Sequence, residues 1–233
     1  LLVRRKMETI KLNNWKEVTE YIDNGFWQPT PSYFEHIVQH NSYYPNHAFS
    51  KGQLASKSWL LEKLHKINWR HQPNSDVVVI LGSWIGAMVE PLHKTFDIGR
   101  IYGIDLDATA IEKSEKLNQK FVQDKWKYKG VVHDVDLIEC DNMQFETGGE
   151  LINCKPNWII NTSCEHMSTL WYDTVDSDQL IIMQTNNSEE FDGHINPCYT
   201  LNEMQEKYPL KETLFVGALE TPAYTRYMQI GYK

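Results

Sequence analysis

From residue 76 onward the chain alternates short apolar runs with stretches that are apolar on one side only. Val77–Leu81 is continuously apolar, the pattern of a strand buried on both faces. A helix is expected over 88–96, a strand over 100–107, and a long helix over 108–124 with Ile111, Leu117 and Phe121 on its inner side. Further strands are expected within 130–141, at 157–161 and at 179–185. The tail reads as a hairpin with arms 211–220 and 224–232, turned by Thr-Pro-Ala-Tyr. Before residue 76 the texture is different. A short helix follows Asn13 or Asn14 as its cap, a second begins near Ser32 after two prolines, and an amphipathic helix covers about Gly52 to Lys66. The expected fold is α/β, a doubly wound, mostly parallel sheet with a closing antiparallel hairpin and an N-terminal helical extension. Residues 1–75 form the extension and residues 76–233 the sheet domain.

Composition narrows the function classes. Of 233 residues, 41% are hydrophobic and 12% aromatic, so a sizeable core is available, and the net charge of −8 argues against a protein built to grip nucleic-acid phosphates. No apolar run approaches the ~20 residues of a membrane span. The opening Leu-Leu-Val-Arg-Arg-Lys lacks the apolar stretch that follows the basic part of a secretory signal, and Met7 reads as the natural start. Cys140, Cys154, Cys164 and Cys198 include no Cys-x-x-Cys pair. They are expected to be free thiols in a reducing cytoplasm, with no structural zinc.

The chemistry concentrates where strands end. After Leu81 comes Gly82-Ser83-Trp84-Ile85-Gly86, then a helix; the following strand ends on Asp105 with Leu106 beyond it, about 20 residues on. A glycine turn lets backbone approach a ligand closely, and a carboxylate at the end of the next strand accepts hydrogen bonds from both hydroxyls of a ribose.

Val77–Met88 together with Arg100–Asn118 resembles the first half of a class I S-adenosylmethionine-dependent methyltransferase, and the likeness extends over about 76–233. The family's loop reads G-x-G-x-G after an acid two places earlier; here Trp84 stands in the central glycine's slot and Ile80 in the acid's. The resemblance implies that Gly82, Ser83, Trp84 and Gly86 shape the cofactor loop, that Asp105 binds the ribose with Leu106 as a further cofactor contact, and that S-adenosylmethionine is the cofactor. Trp84 either flanks the sulfonium or packs against the N-terminal segment. For the acid that meets adenine there are two candidates, Asp134 and Asp141, of which Asp141 with Asn142 is preferred because Asp-Asn-Met-Gln-Phe matches the family's Asp-x-x-x-Phe.

The family's fourth strand faces the transferable methyl group. Here it runs into Asn161-Thr-Ser-Cys-Glu-His166. Asn161, Glu165 and His166 are the catalytic candidates, His166 as a base with Glu165 orienting it, and Asn161 doubling as a cofactor contact. The alternative is that the run caps the next helix. Gln53, Lys57 and Lys51 are candidates for the cofactor's carboxylate, and the aromatic N-terminal segment reads as a pocket cover. The polar loop after 185 is expected to line the substrate side; no metal is expected, although Asp192 neighbours His194. The expected acceptor is a small molecule or a protein side chain. A nucleic-acid methyltransferase and a non-catalytic S-adenosylmethionine or nucleotide-binding module are the alternatives.

Overall fold

The computed structural model describes residues 7–27, 44–67, 69–147, 149–188 and 193–233. The helix expected near Ser32 and residue Asp192 lie outside these. Strand β1 is Glu8–Lys11 and helix α1 is Trp15–Asp23; a 3-10 turn at Asn46–Phe49 leads into α2, Lys51–Lys66. Then come β2 (Val77–Leu81), α3 (Val89–Thr95), β3 (Arg100–Asp105), α4 (Ala108–Leu117), α5 (Gln119–Gln123) and β4 (Tyr128–Val132). A hairpin of β5 (Met143–Thr147) and β6 (Glu150–Cys154) precedes β7 (Trp158–Asn161), α6 (Leu170–Asp173) and β8 (Leu180–Asn186). The chain closes with α7 (Leu201–Lys207), β9 (Glu212–Glu220) and β10 (Thr225–Tyr232).

Among the described residues, eight strands form one sheet in the order β1-β9-β10-β8-β7-β2-β3-β4. Strands β4, β3, β2, β7 and β8 run parallel, and β10 is antiparallel to both of its neighbours, β8 and β9. The strand order reverses between β2 and β7, so the loops leaving their carboxyl ends diverge and open a crevice there. Alternation splits the core between the two faces. Val78, Ile80, Ile160 and Ile182 pack with α2 and α3 through Leu60, Leu61, Leu64, Val89 and Leu92. Val79, Leu81, Ile159 and Ile181 pack with Trp171, Tyr172, Leu201 and Met204 on the other side.

The N-terminal residues share this architecture. β1 extends the sheet parallel to β9, and Val18, Trp59 and Leu61 belong to the same core as Val78. Asn14 caps α1 by accepting from the N–H groups of Lys16 and Glu17, while the Glu17 carboxylate reaches back to the Asn13 N–H at 2.8 Å. Ser50 caps α2.

Three expectations need correction. The strand expected within 130–141 begins earlier, at Tyr128, and stops at Val132; Val135 lies in a 3-10 turn over Val135–Leu137 and Ile138 follows it, and these two apolar side chains enter the core. The helix expected over 108–124 breaks at Asn118, whose buried side chain donates to the Gly86 and Ser114 carbonyls at 3.0 and 2.9 Å. β1 and the β5–β6 hairpin were not expected at all.

Candidate active site at the carboxyl ends of β2, β3, β4 and β7

A cavity of about 680 Å³ lies over the switch point, walled by the loops after β2, β3, β4 and β7 and by the start of α2. Gly82 to Ile85 of the glycine turn line it. Gly82 takes φ +62° and Gly86 φ +67°, left-handed backbone that suits glycine. A Cβ on residue 82 would sit 2.8 Å from Met167 Cε, so the position has no room for a side chain without movement. Trp84, in the central slot, also takes a left-handed φ of +49°. That costs roughly 1–2 kcal/mol in a residue with a Cβ. Two contacts offset it: the Trp84 N–H donates to Asp105 Oδ2 at 2.8 Å, and the indole stacks on His47 with ring centroids 4.9 Å apart. Trp84 thus meets the N-terminal segment and walls the cavity at once.

Asp105 stands at the end of β3, half-buried at the cavity wall. Its Oδ1 accepts the Asp107 N–H at 3.0 Å. Each carboxylate oxygen is therefore held by one backbone donor, and each has a second acceptor position for a ligand. Leu106, 69% exposed, presents an apolar side chain beside it.

On the far side of β3 the cavity is walled by Asp134, Val135 and Asp136. Asp134 Oδ1 accepts the Asp136 N–H, and Asp136 Oδ1 accepts the Ser168 hydroxyl. The preferred Asp141 and Asn142 do not wall the cavity; both are exposed ahead of β5, and the Asp141 N–H is spent on the Thr174 carbonyl. The reason is the strand boundary: β4 ends at Val132, so its carboxyl edge delivers Asp134, whereas Asp141 lies beyond the 3-10 turn.

At the end of β7, Thr162, Ser163, Glu165, His166 and Met167 face the cavity. Asn161 and Gly86 do not. Asn161 is fully buried, with Oδ1 accepting the Ser163 N–H and Nδ2 against Met167 Sδ, so it shapes the turn. Glu165 is 2% exposed; Asn186 Nδ2 donates to its Oε1, Arg226 Nη2 lies 3.9 Å from the same oxygen, and among the described residues Oε2 has no hydrogen-bond partner. Arg226, 3% exposed, also donates from Nη1 to the Thr162 carbonyl. The His166 Nδ1–H donates to the Gly193 carbonyl and the His194 Nδ1–H to the Ser188 carbonyl, since a carbonyl can only accept. The two rings meet edge to face with centroids 4.5 Å apart. Desolvation at the wall lowers the His166 pKa against the opposing pull of Glu165.

From α2, Gln53 and Lys57 reach the cavity, and Lys51 does not. Lys57 Nζ donates to Gln53 Oε1 at 2.9 Å. Burial, with the Arg226 charge nearby, pulls the Lys57 ammonium down to about 7. His47, within the expected cover, and Asn186, His194 and Ile195, within or beside the expected polar loop, wall the cavity, whereas Tyr224 and Arg226 are wall residues that sequence reasoning missed. Arg226 left a trace, a lone charge immediately ahead of Tyr227-Met228-Gln229-Ile230 in the closing strand.

Solved structures with the same architecture exist. A geranyl diphosphate methyltransferase in complex with GPP and sinefungin superposes with TM-score 0.57 at 12% identity, covering 93% of this chain and 98% of that one. The geranyl diphosphate C-methyltransferase of Streptomyces coelicolor A3(2), in complex with Mg2+, geranyl diphosphate and S-adenosyl-L-homocysteine, gives 0.55 at 10% identity, with 93% and 97% covered. The magnesium protoporphyrin IX methyltransferase of Synechocystis PCC 6803, with bound S-adenosylmethionine, gives 0.52 at 10% identity, with 94% and 91% covered. No protein-family model and no curated protein matches the chain. The chain has the fold of the class I S-adenosylmethionine-dependent methyltransferases, as its sheet order and closing antiparallel strand also require.

Proposed function

We propose that the chain is an S-adenosylmethionine-dependent methyltransferase acting on a small-molecule acceptor. The observation that carries this reading is Asp105: a carboxylate at the end of β3 that walls the cavity over the switch point, locked by the Trp84 and Asp107 N–H groups, with acceptor capacity left on each oxygen. That is the donor demand of a ribose diol. Leu106 and Val135 supply apolar surface for a purine, and the Asp134–Asp136 turn supplies the carboxylate for its amino group. Lys57 and Gln53 face the cavity from α2 and suit the amino-acid end of the cofactor, where Ile80 has removed the usual acid. When bound, S-adenosylmethionine supplies an electrophilic methyl group. The chain's own part is to align that group with the acceptor and to keep water out.

The cavity volume falls in the range of small-molecule sites, roughly 300–1,000 Å³, and its acceptor end is formed by Glu165, His166, His194 and Asn186. A small acceptor fits this enclosure better than a polyanion does. Asn161, offered by the sequence as catalytic, serves the reaction by holding the Thr162–Met167 turn. Calorimetric titration with S-adenosylmethionine and S-adenosylhomocysteine tests the reading: one site for both is expected, followed by transfer of labelled methyl into small-molecule pools. Absence of binding by both ligands overturns it.

A further inference from the structure

At the acceptor end three potential ligands converge. A carboxylate oxygen of Glu165 and a ring nitrogen each of His166 and His194 lie within 4.8 Å of one another. Such proximity alone proves little, because charged and ring groups often gather at a cavity wall. Two further features separate this cluster from a chance one.

The first is the Glu165 carboxylate. Its Oε1 takes the Asn186 amide, yet among the described residues the buried Oε2 has no hydrogen-bond partner. A buried carboxylate oxygen left bare is costly and rare in folded proteins. Arg226 does not meet the need: its Nη2 lies 3.9 Å away, on the Oε1 side. The second is the orientation of both imidazoles. Each has its Nδ1–H directed at a backbone carbonyl, Gly193 for His166 and Ser188 for His194. That contact fixes the neutral tautomer and leaves the lone pair on Nε2, which is how metal-bound histidines are held.

We infer that Glu165, His166 and His194 form a site for a divalent transition-metal ion that binds an oxygen of the acceptor at the methyl-transfer cavity. Two imidazoles and a carboxylate suit zinc and its first-row neighbours better than magnesium or calcium, which prefer all-oxygen ligands. Donors sharing one such ion at about 2.0–2.2 Å each lie at most about 4.4 Å apart, so capture draws the group slightly inward. Three protein ligands leave positions open toward the cavity, as in catalytic rather than structural sites.

The inference rests on the methyltransferase reading for its chemistry, and it narrows the acceptor to one bearing a hydroxyl. The metal lowers the pKa of a bound hydroxyl, and the proton leaves to solvent. The acceptor oxygen then forms the new C–O bond as the C–S bond to the sulfonium breaks, with the electron pair passing to sulfur and leaving a neutral thioether. The sequence reading expected no metal at His194 beside Asp192; Glu165 and His166 follow β7 and His194 follows β8, so only the folded sheet brings the three together.

The test uses the full chain stripped of metal with a chelator and titrated with Co2+, read by calorimetry and by visible absorption. One equivalent is expected, with bands of nitrogen and oxygen coordination, displaced by Zn2+. His194→Ala is expected to weaken Co2+ binding by about 100-fold or more, the loss of a direct ligand exceeding the about 10–100-fold effect of an outer partner. S-adenosylhomocysteine binding by the same variant is expected to stay at the wild-type value, which shows that the fold and the cofactor half survive. Wild-type protein that takes up no Co2+, or a His194→Ala variant that binds it equally well, overturns the metal site. Co2+ binding without any S-adenosylhomocysteine binding upholds the metal site and overturns the methyltransferase reading, so the two fail separately.

Discussion

Asp105→Ala removes the group on which the cofactor reading depends. In the folded chain the carboxylate accepts the Trp84 N–H at 2.8 Å and the Asp107 N–H at 3.0 Å, leaving one acceptor position per oxygen. Two ribose hydroxyls would fill these positions. Hydrogen bonds to a charged group contribute about 1.5–3 kcal/mol each. Asp105 is half-buried and water competes, so the lower figure applies and the pair contributes about 3 kcal/mol. That corresponds to a Kd for S-adenosylhomocysteine about 100-fold weaker. The assay is calorimetry on wild type, Asp105→Ala and Asp105→Asn. The asparagine retains one acceptor oxygen but replaces the other with a donor, so it is expected to fall between the two. Thermal melts of the free proteins separate loop disorder from lost contacts, because the Trp84 N–H also loses its acceptor. An alanine variant that binds the ligand within threefold of wild type would refute the reasoning.

Other positions give independent checks. Gly82→Ala places a Cβ on left-handed backbone 2.8 Å from Met167 Cε; about 2 kcal/mol of destabilisation is expected, a melting temperature lower by roughly 4–8 °C, and adding Met167→Ala should restore only the steric part. Asn118→Ala removes the buried bonds to the Gly86 and Ser114 carbonyls; a loss of about 1–3 kcal/mol is expected by denaturant titration, with weaker cofactor binding as the turn loosens. Lys57 is pulled down to about 7 by burial and by Arg226, from an ordinary value near 10.5. Between those limits the unfolded chain binds the extra proton, so this group makes stability rise with pH from about 7 to 10.5. Lys57→Met should therefore raise the melting temperature most at or below pH 7, with the advantage shrinking toward pH 10. A difference that grows with pH would contradict the assignment.

The parallel centre of the fold was legible because strands buried on both faces read as unbroken apolar runs, as in Val77–Leu81 and Leu180–Met183. β1 was not, since Glu-Thr-Ile-Lys is four residues long and gains its meaning only from pairing with β9. The β5–β6 hairpin hid because alternate residues face solvent and it joins no other strand. Asn118 reads as an ordinary helix residue, and only the distant Gly86 carbonyl explains the break. In the site, Gly82 and Asp105 were readable because strand, turn and acid lie at a recurring spacing. The acceptor end was less so: Glu165, Asn186 with His194, and Arg226 come from three separate stretches that only the sheet brings together. Asp141 was preferred over Asp134 for its match to Asp-x-x-x-Phe, but β4 stops at Val132 and it is Asp134 that walls the cavity.

A crystal structure of the chain with S-adenosylhomocysteine tests the central claim most directly. The account predicts both ribose hydroxyls on the Asp105 carboxylate, the purine between Leu106 and Val135, and the sulfur directed toward Glu165, His166 and His194. Ligand density elsewhere on the chain, or a ribose that leaves Asp105 untouched, would contradict it.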